Sequence, residues 1–184
     1  MKKDMIILMG GQGVGKGTFS KMLRDVAEFN YIETGALLRA LPADSDIAKT
    51  VARGELVSDD MLFELMESQI TDDQDILLDG FPRTLPQAQW LITKYADRFH
   101  IHVVYLDVPE DVMIARIQKR QRDGGGRADD ADAAAVRRRL DTFWHVTMPS
   151  IEWLRTAPDI EFADVDVTGD LDTNFARIRS VLKI

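Results

Sequence analysis

A glycine-rich segment near the start of the chain constrains its fold more than any other feature. It runs from Gly10 to Thr18, between an apolar run of strand length, Met5–Met9, and an amphipathic helix predicted over Lys16–Glu28. Glycine permits positive φ angles, so successive backbone N–H groups can point into one concavity, and the following helix adds partial positive charge at its N-terminus. A strand, such a loop and a helix in this order predict a phosphate-binding loop.

Two side chains of this segment can reach an anion. Lys16 can reach terminal phosphate oxygens, and the Thr18 hydroxyl is placed to contact a phosphate or Mg²⁺. The common spacing puts Ser or Thr directly after the lysine, whereas here Gly17 intervenes. The alternative is a glycine-rich turn that binds nothing, which is less favoured because the glycines, the lysine and the strand–loop–helix context coincide.

Short apolar runs alternate with helical segments along the whole chain. The predicted strands are Met5–Met9, Tyr31–Glu33, Ile76–Asp79, His100–Asp107 and Ile160–Val167. The predicted helices are Lys16–Glu28, Leu37–Arg53 with a break at Pro42, a helix with Ser58 as its N-cap that runs to about Ile70, Pro86–Asp97, Glu110–Arg122, Ala131–Leu154 with a kink at Pro149, and Leu171–Leu182. Strands separated by helices predict parallel pairing, and strands without alternation predict a sheet covered on both faces. The expected fold is therefore a three-layer α/β domain spanning residues 1–184.

Composition excludes several kinds of function. The chain has no cysteine, which removes disulfides, iron–sulfur clusters, thiolate zinc sites and a cysteine nucleophile. Its 23 basic and 31 acidic side chains give a net charge of −8, which disfavours broad binding of nucleic acids or anionic membranes. There is no apolar run of membrane-spanning length, and we expect a cytoplasmic location.

One window of the acidic chain is nevertheless positive. Residues 116–139 contain eight basic and four acidic side chains. Such a cluster in an acidic protein indicates a dedicated anion site. The alternative is a solvated helix face with ion pairs between successive turns, which is the better interpretation for Lys119, Arg122 and Arg137 taken singly.

The Lys16-Gly17-Thr18 variant of the loop resembles that of the adenylate kinase family of nucleoside monophosphate kinases. Further segments match in family order from Met5 to about Trp153. They are Thr34-Gly35-Ala36-Leu37-Leu38-Arg39, Gly54-Glu55-Leu56-Val57-Ser58-Asp59, Asp79-Gly80-Phe81-Pro82-Arg83 with Gln87, Arg116 and Arg120, Gly126-Arg127-Ala128-Asp129-Asp130, and Arg139-Leu140. Together they are far more specific than any one alone.

The resemblance implies a fold and a reaction. The fold would be a P-loop kinase with a small helical acceptor-binding insertion over residues 34–63 and a short lid over 122–131, without a zinc site in the lid. The reaction would be Mg²⁺-dependent, reversible transfer of the ATP γ-phosphoryl group to AMP, giving two ADP, by a protein expected to be a monomer.

The resemblance also assigns roles to individual residues. ATP would be bound by Gly11, Gly13, Val14, Gly15, Lys16, Gly17, Thr18 and Arg116, the last stacking on adenine. The acceptor would be bound by Thr34, Gly35, Arg39, Leu56, Val57, Gly80, Arg83 and Gln87. The transferring group would be surrounded by Lys16, Arg83, Arg120, Arg127 and Arg139. Mg²⁺ would be held by Thr18 and Asp79, and the lid arginines would be oriented by Asp129 and Asp130.

Departures from the family pattern leave alternatives open. Gln12 stands where proline is usual, Ala36 replaces an aspartate, and the acceptor segment is shortened. A kinase for another monophosphate, or a low-turnover nucleotide-binding regulatory protein, would fit these departures, whereas Thr34 with Gln87 resembles the AMP-specific members. One extra residue before Leu140 leaves Arg138 and Arg139 as alternatives for the inward-pointing arginine.

Overall fold

A computed structural model describes residues 2–52, 57–125 and 128–184. In these ranges one sheet of five parallel strands has the order β2-β3-β1-β4-β5. The strands are β1 (Lys3–Met9), β2 (Asn30–Glu33), β3 (Ile76–Asp79), β4 (Phe99–Asp107) and β5 (Ile160–Asp166). The helices are α1 (Lys16–Val26), α2 (Thr34–Ala40), α3 (Asp46–Ala52), α4 (Asp59–Gln69), α5 (Leu85–Tyr95), α6 (Glu110–Arg122), α7 (Ala133–Thr142), α8 (Met148–Thr156) and α9 (Leu171–Leu182), with a 3₁₀ turn at Ala128–Ala131. No helix within the described ranges is both long and apolar enough to cross a lipid bilayer.

The central strands explain why the sheet is covered on both faces. All residues from Met5 to Met9 are buried, although successive side chains of a strand point to opposite faces. The same holds for Ile76–Asp79 in β3. This is the pattern of a parallel sheet between two helical layers, and the α/β fold class predicted from the sequence is confirmed.

Strand register brings the segments that follow β1, β2 and β3 to the same edge of the sheet, at the carboxyl ends of the strands. Asp79, the last residue of β3, lies opposite Leu8 on one side and Glu33 on the other. The glycine-rich loop follows β1, and helix α2 follows Glu33 directly. Parallel strands of an α/β sheet bind ligands outside these carboxyl ends.

The chain after the 3₁₀ turn differs from the single kinked helix predicted over Ala131–Leu154. Helix α7 ends at Thr142, and a π-helical turn over Phe143–Thr147 precedes α8, with the Met148 N–H donating to the Phe143 carbonyl. Pro149 cannot donate to a carbonyl one turn back and is tolerated in the first turn of a helix. The backbone nevertheless stays helical from Ala133 to Thr156, because Phe143 and Thr147 at the two junctions both have right-handed helical angles, so the wider turn only interrupts the α-helical hydrogen bonding just before Pro149.

The two proposed subdivisions of the domain stay predictions. The insertion over 34–63 and the lid over 122–131 both include residues outside the described ranges. Within the insertion, the break predicted at Pro42 is confirmed, because α2 ends at Ala40 and α3 begins at Asp46. The N-cap predicted at Ser58 is confirmed as well, since its Oγ accepts a hydrogen bond from the Met61 N–H.

Candidate active site

The glycine-rich loop is shaped by close contacts that only glycine allows. Gly13 has a φ of +76°, and a Cβ built on it would lie 2.7 Å from the Met113 carbonyl oxygen of α6. Gly15, with a φ of +105°, directly precedes α1. The loop therefore packs against α6 while it turns into α1, whose first N–H groups have no partner within the helix.

Lys16 lies over this loop. Its Nζ donates to the carbonyl oxygens of Gly10, at 2.7 Å, and Gly11, at 3.0 Å. The ammonium group is thus held at the concavity that the loop encloses. Gly17 and Thr18 are exposed at the start of α1.

Arg116 connects the glycine-rich loop to the residue that follows β5, the strand at one edge of the sheet. Its guanidinium donates to the carbonyl oxygens of Val14, at 3.2 Å, and Val167, at 2.6 Å. Because Val167 directly follows β5, Arg116 lies between the glycine-rich loop and the carboxyl end of that strand. This position is consistent with the donor-side role that the resemblance implies.

The buried carboxylate of Asp79 lies at the same edge of the sheet. It accepts hydrogen bonds from the Ser20 Oγ at 3.3 Å and the Tyr31 Oη at 3.2 Å. Ser20 is two residues beyond Thr18 on α1, so these contacts place the carboxylate beside that helix. Carboxylate and hydroxyl oxygens are hard donors that suit Mg²⁺, so Asp79 and Thr18 fit a magnesium site.

Tyr31 has a strongly shifted pKa. Burial, followed by the negative charges of Asp79 and Glu33, raises the pKa of its phenol to about 12. The guanidinium of Arg24 stands 4.2 Å from the centre of the tyrosine ring. Tyr31 therefore stays neutral at ordinary pH and donates to Asp79.

Thr34, Gly80 and Arg83 meet on the other side of Asp79. The Arg83 Nε donates to the Gly80 carbonyl oxygen at 2.9 Å. A Cβ at Gly80 would lie 3.3 Å from Arg83 Nη2 and 3.8 Å from the Thr34 Cβ. Gly80 thus lies between a buried threonine and an exposed guanidinium, and a side chain at this position would crowd the Arg83 guanidinium.

Two further predicted acceptor-side residues, Arg39 and Gln87, lie on α2 and α5. Arg39 is exposed on α2, next to Gly35, and its Nη2 donates to Glu33 Oε1 at 3.2 Å. Gln87 is buried near the start of α5, where its Oε1 accepts the Arg83 N–H at 2.8 Å. Val57 is half-buried immediately before α4. The structure thus shows two local contacts among the predicted acceptor-side residues, Gly35 with Arg39 and Arg83 with Gln87.

A buried carboxylate joins two arginines of the positive window. Asp130 Oδ2 accepts from Arg120 Nε at 3.0 Å and Nη2 at 2.6 Å, and its Oδ1 accepts from Arg139 Nη2 at 2.6 Å. The Asp130 side chain is fully buried, whereas the Arg138 side chain is 70% exposed and pairs with Asp132. Of the two alternatives, Arg139 is therefore the arginine that lies beside Arg120.

Two predicted site residues, Leu56 and Arg127, lie outside the described residues. Their assignments stay predictions.

Comparison with known proteins identifies the family. The family model described as adenylate kinase matches residues 8–158. The chain belongs to the adenylate kinase family. It is 36% identical to an adenylate kinase of Stenotrophomonas maltophilia over 97% of this chain and 98% of that protein. It is 33% identical to adenylate kinases of Bacteroides thetaiotaomicron, over 94% of this chain and 95% of that protein, and Thermus thermophilus, over 97% of each chain.

The resemblance drawn from the motifs is thus confirmed, yet several contacts of this adenylate kinase site were not predicted. Ser20 and Tyr31 hold Asp79, and Asp59 pairs with Gln87. Glu110 accepts from Arg137 Nη1 at 2.8 Å and from Trp144 Nε1 at 2.6 Å, which ties the start of α6 to α7 and the π-helical turn. Each contact joins elements distant in sequence, and no local pattern signals it.

Substitution of the loop glycines should separate two effects. Gly13→Ala forces a positive φ on alanine against the Met113 carbonyl, and we expect it to lower the free energy of unfolding by about 2 kcal/mol. Gly17 has nothing within 4 Å of a built Cβ, so Gly17→Ala serves as the matched control and should leave stability unchanged or raise it by up to about 1 kcal/mol. Urea unfolding measures both. Equal effects would contradict the packing of the loop on α6.

Tyr31 should make stability depend on alkaline pH. An ordinary tyrosine titrates near pH 10, so above about pH 10 the unfolded chain ionises while folded Tyr31 stays neutral, and stability falls as pH rises towards 12. Tyr31→Phe lacks this contribution and should lose less free energy of unfolding between about pH 9.5 and 11.5. Urea unfolding at both pH values checks this, because other titrating groups are common to both proteins. An equal fall in the free energy of unfolding of the variant would show that the pKa of Tyr31 is not raised.

Proposed function

We propose that the protein catalyses reversible, Mg²⁺-dependent transfer of the γ-phosphoryl group of ATP to AMP, giving two ADP. The single observation that carries the proposal is that a chain of this family places its phosphate loop, Asp79 and Arg83 at one edge of the sheet. The protein is accordingly a phosphotransferase with a phosphate group as acceptor.

The acceptor is chemically simple to activate. The second pKa of a phosphate monoester is about 6, so AMP is largely ionised at neutral pH and needs no general base. The difficulty is the repulsion between two polyanions. Catalysis of such a transfer consists mainly of positioning and of stabilising negative charge with cations.

On the donor side, the loop from Gly11 to Thr18 would surround the ATP phosphates with N–H groups. Lys16 would move its ammonium group from the loop carbonyl oxygens to phosphate oxygens. Arg116 would stack on the adenine. Thr18 and Asp79 would hold Mg²⁺, which would supply positive charge to offset the negative charge of the phosphates.

On the acceptor side, Arg39 and Arg83 would bind the AMP phosphate. The planar, always charged guanidinium suits bidentate contact with phosphate oxygens. Thr34, Gly35 and Gly80 would line the space beside Arg83, and Gln87, with the backbone of Leu56 and Val57, would contact the base.

Between the two nucleotides, Arg120, Arg127 and Arg139 would surround the transferring group. Asp130 holds Arg120 and Arg139 side by side, which reduces the ordering that both must undergo when ATP binds. A short lid over residues 122–131 would exclude water and so suppress hydrolysis of ATP.

No observation favours the two alternatives, a kinase for another monophosphate and a low-turnover regulatory protein. The relatives described above are all adenylate kinases. A monomeric state and a cytoplasmic location stay predictions from the sequence.

The reaction itself is tested with a panel of acceptors. A coupled assay that reports ADP, with ATP, Mg²⁺ and either AMP, CMP, UMP or GMP, should show turnover with AMP and much less with the others. Preferred turnover with another monophosphate would replace the proposed substrate. Nucleotide binding without turnover of any acceptor would make the protein a binding protein.

The arginine roles are tested by substitution. Arg83→Gln and Arg120→Gln should each remove on the order of 3 kcal/mol of transition-state stabilisation, or about 100-fold in kcat/KM for AMP. Lys119→Gln is the matched control, because Lys119 precedes Arg120 on α6, is exposed and has no assigned role. Losses of less than about tenfold for both arginine variants would contradict the assignments.

A further inference from the structure

The carboxamide of Gln87 is fixed in one orientation by its two partners. Its Oε1 accepts the backbone N–H of Arg83 at 2.8 Å, and its Nε2 donates to Asp59 Oδ1 at 2.9 Å. A backbone N–H only donates and a carboxylate only accepts, so the amide cannot be turned over without losing both bonds. Gln87 is 5% exposed, which makes such a loss costly.

Asp59 is the first residue of α4, after the Ser58 N-cap, in the first turn where acidic side chains favour the helix. Its contact with Gln87 joins α4 to α5, two helices that are 28 residues apart in sequence at this point. The pair therefore lies between the acceptor-binding insertion and the segment that carries Arg83.

The two side chains together offer a donor next to an acceptor. One N–H of Gln87 is used by Asp59, and the second N–H remains a donor, whereas every remaining lone pair of Asp59 is an acceptor. The Watson–Crick edge of adenine has the complementary pattern, with the acceptor N1 beside the N6 amino donor. A 6-oxo purine has the inverse pattern, with an N1–H donor beside the O6 acceptor.

We propose that Asp59 is a specificity-determining residue, whose carboxylate, paired with Gln87, accepts a hydrogen bond from the exocyclic amino group of the acceptor base. It selects adenine, which has an amino group beside an acceptor ring nitrogen, over 6-oxo purines and uracil. This inference rests on the proposed function, because it takes the acceptor base to lie at Gln87. A site built around such hydrogen bonds rejects analogues that leave its buried polar groups unpaired.

The test compares Asp59→Asn with the unsubstituted protein, using three purine nucleoside monophosphates of similar size. They are AMP, IMP, in which an oxo group and N1–H replace the amino group and bare N1, and purine riboside monophosphate, which has no substituent at that position. For each protein, kcat/KM is measured for AMP and purine riboside monophosphate, and the inhibition constant of IMP is measured against AMP. Asp60→Asn is the matched control, because Asp60 lies in the same first turn of α4 but is exposed.

We expect Asp59→Asn to lower kcat/KM for AMP by about tenfold or more and to tighten inhibition by IMP, because asparagine can donate to the O6 atom. The kcat/KM for purine riboside monophosphate and the KM for ATP should change by less than about threefold. Asp60→Asn should leave the ratio of AMP to purine riboside monophosphate unchanged. Asp59→Ala, a second variant that adds no new donor, should bring that ratio towards one.

Three outcomes would overturn the inference. An equal loss for AMP and purine riboside monophosphate would show that Asp59 only supports the structure. A higher kcat/KM for AMP in Asp59→Asn would show that the carboxylate competes with the base. An unchanged kcat/KM for both nucleotides would show that it does not contact the base. Failure of the proposed function appears separately, as absence of AMP turnover by the unsubstituted protein.

Discussion

The parallel pairing of β1 with β3 is the constraint on which the site depends. It sets Leu8 opposite Asp79, so the glycine-rich loop and the segment from Gly80 to Arg83 leave the sheet at neighbouring points. The segments proposed to bind the phosphates of the two substrates are thereby brought together by backbone hydrogen bonds. Side chains then need only short local contacts, such as Arg83 with Gly80, to complete the arrangement.

The chain is acidic as a whole, yet it brings two arginine side chains close together around one buried carboxylate. Two guanidinium groups would repel each other at the distances needed to surround one phosphoryl group. The buried carboxylate of Asp130 lies between Arg120 and Arg139 and offsets that repulsion. The net charge of −8 thus conceals a small region in which the Asp130 carboxylate holds two arginine side chains beside each other.

Sequence reasoning succeeded where the physical signal was local. The loop from Gly10 to Thr18, the strand ending at Asp79 and the cap at Ser58 could each be predicted from neighbouring residues. The π-helical turn between α7 and α8 was not predicted, because such a turn depends on how the chain packs as well as on Pro149. The pairing of Asp59 with Gln87 could not be predicted at all, since it depends on how α4 lies against α5, which no periodicity encodes.

The close approach of Gly13 to α6 has a mechanical consequence. A Cβ at Gly13 would meet both the Met113 carbonyl and Ile117, so the loop rests on the same helix that carries Arg116 and Arg120. Two backbones in direct contact transmit displacement with little loss, because close-packed interiors are hardly compressible. A change in the shape of the loop around a triphosphate would therefore displace α6, and Arg116 and Arg120 would move together with that helix.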